Sequence, residues 1–66
     1  MRNVIIRGPL YFTRSMFQRK SLSYLGIEPI EVTSDMLMIY KVDAELIYRL
    51  NSIADNVRYI WSGVNN

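Results

Sequence analysis

A chain of 66 residues with neither cysteine nor histidine has to hold itself together by side-chain packing or by a partner. A domain of this size buries only about 60% of the surface that its unfolded chain exposes, and small scaffolds usually add disulfides, metals or oligomerisation. Without thiols no disulfide can form, and without thiols or imidazoles zinc loses its usual ligands. No metal and no cofactor is therefore expected. Hydrophobic residues make up 50% of the sequence, enough for a core and too many for a disordered segment. The expectation is one small α+β domain over residues 1–66, with Ser62 to Asn66 as a polar tail.

No apolar run approaches the roughly 18 residues that span a bilayer. The apolar stretch Val4-Ile5-Ile6 is interrupted by Arg7, too short for the ~7–15-residue core of a secretory signal. A cytoplasmic protein without a membrane partner is expected.

Local patterns divide the chain into six elements. Asn3 to Arg7 is β-branched and closed by Gly8-Pro9, which predicts a strand and a turn. From Leu10 to Leu25 the spacing turns helical: Phe12, Met16 and Tyr24 form a stripe with Phe17, Ser21 and Leu25 beside it. Thr13 is the expected N-cap of a helix running to about Tyr24, and Gly26 its left-handed terminator. Ile27 to Thr33 alternates as a strand, with Pro29 at its start or on an edge. Thr33-Ser34-Asp35 reads as a turn and Met36 to Val42 as the second arm of a hairpin. Asp43 is a favoured N-cap, and Leu46, Ile47, Leu50, Ile53 and Ala54 define the apolar face of a helix ending near Asp55-Asn56. Val57 to Trp61 alternates as a last strand.

The order β-α-β-β-α-β is that of a compact ferredoxin-like fold, a four-stranded antiparallel sheet with two helices on one face. In such a fold the other sheet face is open. Assigning the aliphatic sets (Val4 and Ile6, Ile30 and Val32, Leu37 and Ile39, and Ile60) to the helix-covered side leaves Ile5, Met38, Tyr40, Tyr59 and Trp61 on the open face. Arg7 and Lys41 or Arg58 would rim it.

An enzyme is not expected. The commonest general base and the thiolate nucleophile are missing. Glu28 and Glu31 differ in strand parity, Asp43 suits a cap and Asp35 a turn, and no phosphate-cradling glycine loop is present. The first reading is a non-catalytic protein-binding module, a small adaptor or inhibitor of a larger protein, that contacts its partner or a second copy in a homodimer through Ile5, Met38, Tyr40, Tyr59 and Trp61. Tyr, Trp, Met and Arg are the types enriched at interfaces. The alternative is a nucleic-acid-binding domain. Residues 1–20 carry Arg2, Arg7, Arg14, Arg19 and Lys20 and no acid, against a net −3 in residues 21–66. In that reading bases stack on Tyr40, Tyr59 and Trp61 while Arg7, Arg14, Arg19 and Lys20 reach phosphates. The glycine-aromatic motif of RNA-recognition strands is absent, the matching run being Met-Leu-Met-Ile-Tyr-Lys-Val. A third reading, a dimeric small-ligand sensor, finds no convergent polar groups to support it.

Overall fold

The computed structural model describes residues 1–62. The elements are β1 (Arg2–Arg7), β2 (Leu10–Thr13), α1 (Met16–Tyr24), β3 (Glu31–Val32), β4 (Met38–Lys41), α2 (Ala44–Ile53) and β5 (Val57–Ser62). They form two sheets: β1 and β5 pair in parallel, and β2, β4 and β3 form an antiparallel sheet in that order. The ferredoxin-like expectation is overturned, since the strands do not join into one four-stranded antiparallel sheet.

The departure begins at Leu10. Gly8 takes a left-handed φ of 86°, which costs glycine least, and Pro9 follows it. The chain reverses and Leu-Tyr-Phe-Thr forms an unforeseen strand, consistent with its aromatic and β-branched content. The predicted stripe Phe12/Met16/Tyr24 therefore straddles a strand and a helix. Thr13 does not cap α1. Its hydroxyl accepts from the Ser15 amide at 3.1 Å, and Ser15 Oγ accepts from the Gln18 amide at 3.1 Å, so the cap lies two residues later. The extra reversal leaves β1 and β5 running the same way.

The far end of α1 is as expected. Gly26 has φ 88°, its amide donates to the Ser23 carbonyl at 3.0 Å, and the Ile27 amide donates to the Leu22 carbonyl at 2.8 Å. These two bonds make a Schellman motif. The motif turns Ile27 onto the core, where buried Leu22 sits, and this shortens the next strand. Only Glu31–Val32 remains of the expected Ile27–Thr33, preceded by a bond from the Ile30 amide to the Ile39 carbonyl at 2.8 Å. The Thr33-Ser34-Asp35 turn is present. The Thr33 amide donates to the Leu37 carbonyl at 2.9 Å, the Thr33 carbonyl accepts from the Met36 amide at 3.0 Å, and the Thr33 hydroxyl accepts from the Leu37 amide at 3.1 Å. Asp43 caps α2 as predicted, accepting from the Leu46 amide at 2.8 Å.

Both helices cover the inner faces of the sheets. The core is Ile6, Leu22, Met38, Tyr40, Val42, Leu46 and Leu50, with Tyr11, Ile27, Val32, Ile47, Ile53, Tyr59 and Trp61 packed against it. Register decides which side of each strand faces in. Tyr11 pairs with Tyr40 and Thr13 with Met38, while Phe12 pairs with Ile39 on the other face. In the parallel sheet Ile6 pairs with Trp61 and Val4 with Tyr59, opposite to Ile5 and Ile60. The aliphatic-inward assignment is thus correct for β1 and reversed for β4 and β5. Ser62, expected to begin the tail, is the last residue of β5, and the rest of the predicted tail lies outside the described residues.

Two substitutions test these local terms in opposite directions. Asp43→Ala removes a cap and is expected to lower stability by about 1 kcal/mol in urea unfolding. Met36 holds φ 69°, a left-handed conformation that costs a side-chain-bearing residue about 1–2 kcal/mol, so Met36→Gly should raise the urea midpoint. A fall would mean that Met36 contributes packing greater than its backbone strain.

Candidate functional site

The structure does not bring the five sequence-predicted contact residues onto one face. Met38 and Tyr40 are 0% exposed and belong to the core, so neither can meet a partner without unfolding. Tyr59 and Trp61 are half-buried on the inner face of β5, and the Trp61 indole N–H donates to the Gly8 carbonyl at 3.3 Å. Ile5 alone is exposed, on the outer face beside Ile60. The basic residues are also dispersed. Arg7 is exposed at the end of β1, the Arg14 guanidinium is bonded to Asp35 at 2.5 Å, Arg19 is half-buried in α1, and Lys20 is exposed. Hydrogen bonds from the Thr33 hydroxyl and then from Arg14 hold the Asp35 carboxyl below its ordinary range.

Exposed large apolar side chains include Phe12, Ile30 and Tyr48 on other elements, but those of α1 line clefts. Phe17, Ser21 and Tyr24 follow at i, i+4 and i+7, one helical face. Phe17 is 64% and Tyr24 91% exposed. Two clefts open along this face where α1 lies against α2. One, of about 260 Å³, is lined by Phe17, Gln18, Ala54, Val57 and Tyr59, and the other, of about 350 Å³, by Lys20, Ser21, Tyr24 and Leu25; Ile53 lines both. The C-terminal end of α2 therefore forms a shared wall between them.

Hydrogen bonds tie the floor of the first cleft to its neighbours. The Tyr11 hydroxyl donates to Gln18 Oε1 at 2.9 Å, and Gln18 Nε2 donates to the Tyr59 hydroxyl at 2.7 Å. One side-chain amide thus ties β2 and β5 to α1. The Tyr11 and Tyr59 rings meet edge-on, with centroids 6.0 Å apart at 83°, the favoured aromatic arrangement. Burial, then the neighbouring Tyr59, pushes the Tyr11 phenol up to about 12. Burial also raises Tyr40, whose hydroxyl has no partner among the described residues; the Glu28 charge adds to the rise and the Arg19 charge opposes it. No group of three or more metal-ligating side chains occurs among the described residues. What the face offers is apolar area over a fixed polar floor.

Sequence reasoning did not single out Phe17 and Tyr24 as exposed, although their spacing was visible. Amphipathic periodicity marks one helical face; it does not say which face turns inward. In α1 the buried residue is Leu22, which lies off the Phe12/Met16/Tyr24 stripe.

The Tyr11 shift has a testable sign. Its folded value lies above the unfolded one of 10.0, so its contribution is complete below pH 10 and is lost as pH rises toward 12. Stability should fall across that window, and Tyr11→Phe should flatten the fall; an unchanged slope in the variant refutes the assignment. No protein-family model matches the chain, and no curated protein or solved structure matches it.

Proposed function

We propose that this chain is a non-catalytic protein-binding module, a small adaptor or inhibitor, that engages its partner through the exposed face of α1. One observation carries the reading: Phe17 and Tyr24 stand largely in solvent along two clefts that meet at Ile53. Monomers seldom leave contiguous large apolar patches exposed without a use, and aromatic residues dominate binding energy when they fill pockets. The clefts are individually small and open, which suits the insertion of one or two partner side chains better than enclosure of a small molecule. The nucleic-acid reading has less support, because Tyr40 lies in the core and Tyr59 and Trp61 face it. No helix among the described residues is long and apolar enough to cross a membrane, and the absence of cysteine suits the reducing cytosol in which we place the module.

The test is a photo-crosslinking residue at position 24 in cells of the source organism, with nuclease added to half of each lysate. A nuclease-resistant protein adduct is expected. Phe17→Ala and Tyr24→Ala should each weaken that complex at least tenfold while changing stability by no more than about 0.5 kcal/mol, the usual range for exposed positions. An adduct with a second copy alone would make the partner the chain itself. Undiminished binding in the double variant would remove α1 as the contact face.

A further inference from the structure

The parallel sheet has two edges, and the molecule treats them differently. The Arg2 amide donates to the Asn56 carbonyl at 3.1 Å. With the observed register, this sets the parity of the ladder: the peptide groups of Arg2, Val4 and Ile6 point at β5, and those of Asn3, Ile5 and Arg7 point away. On β5 the outward groups belong to Val57, Tyr59 and Trp61. There the Asn51 side chain covers the middle of the edge: its Oδ1 accepts from the Tyr59 amide at 2.8 Å, and its Nδ2 donates to the Tyr59 carbonyl at 3.0 Å. The amide of Asn51 thus stands in for a neighbouring strand. β1 has no such cover among the described residues. It borders β5 alone, and Asn3, Ile5 and Arg7 are all exposed.

Unpaired strand edges are pairing templates, and proteins usually blunt them. The geometry points to β1 as a docking edge for an extended acidic segment of another protein, which adds to the sheet as a third strand. Two observations select this occupant. First, Asn3, Ile5 and Arg7 offer alternating N–H donors and C=O acceptors, a row that peptide backbone complements and that a phosphate backbone, which supplies only acceptors, does not. Second, the edge is cationic. Arg7 lies on the outer face with Ile5 and with Arg58, which pairs with Asn3, while Arg2 is exposed on the inner side. None of these three arginines has an ion-pair partner among the described residues. Arg58 lies within two strand spacings of an added strand, about 10 Å, comparable to the screening length at physiological salt. A second copy is the poorer occupant, because two-fold pairing of β1 edges would gather six such arginines at one seam.

This inference is independent of the α1 face. The test uses the full ¹⁵N-labelled chain and two blocked octapeptides, one alternating Glu and Val, the other Lys and Val. The Glu-Val peptide should slow amide exchange at Asn3, Ile5 and Arg7 at least tenfold, and the Lys-Val peptide should not. Ile5→Pro removes an outward N–H and none of the bonds to β5, so it should abolish the protection. If that variant is unfolded, Arg7→Glu combined with Arg58→Glu carries the test, because it should reverse the preference to the Lys-Val peptide. Phe17→Ala and Tyr24→Ala should leave peptide protection intact, which separates this edge from the α1 face. The proposal is overturned by absent protection, by equal response to both peptides, or by protection that needs no peptide and grows with protein concentration, the mark of a second copy.

Discussion

Among the described residues, seven buried side chains join two sheets that share no hydrogen-bond ladder. Ile6 comes from the parallel sheet, Met38 and Tyr40 from the antiparallel one, Val42 from the link between β4 and α2, and Leu22, Leu46 and Leu50 from the helices. A two-stranded sheet is at best marginal alone in water and needs a helix or further strands against it. For β1 and β5 that support is α2, which packs on β5. In a chain without disulfides, loss of the shared core would free both sheets together. Truncating a fully buried leucine such as Leu50 typically removes about 2–5 kcal/mol, a large part of the stability of any small domain.

Around this core, a few side-chain amides act where backbone pairing stops. Gln18 joins α1 to Tyr11 of β2 and Tyr59 of β5. Asn51 joins α2 to the Tyr59 backbone. Both seams converge on Tyr59, held by its ring, its hydroxyl and its peptide groups. Restraint of this kind beneath a surface lowers the entropy that binding there would cost. The same Asn51 amide covers the middle of the β5 edge, whereas the β1 edge of that sheet has no such cover among the described residues.

Much of the local structure was legible in the sequence. Asp43 as a cap, Gly26 as a left-handed terminator, the turn at Thr33, the α2 face and the β1 and β5 segments all rest on interactions within a few residues. The failures share a different cause. Helical spacing at Phe12 and Met16 concealed the strand Leu10–Thr13, and β4 and β5 were turned inside out. Aliphatic residues were expected inward on every strand, whereas Met38 and Tyr40 fill the core and Ile39 lies outward beside Phe12. Tyr24 was read on a helical stripe with Phe17 beside it, but burial of Leu22 instead could be decided only by what packs against α1.

The amino-acid sequence alone determined that this chain has no thiol or imidazole chemistry, where its turns and caps fall, and that both helices and strands form. Caps and turns are settled by hydrogen bonds among near neighbours, so short stretches of chain suffice. The tertiary structure decided strand direction, register and the inward face. A strand presents two sides with period two, and a shift of one residue exchanges them; only the partner strand breaks that tie. β4 lies between two partners, and in its pairing with β2 Tyr40 meets Tyr11, twenty-nine residues earlier. In that register Tyr40 fills the core and Phe12 lies outward beside Ile39.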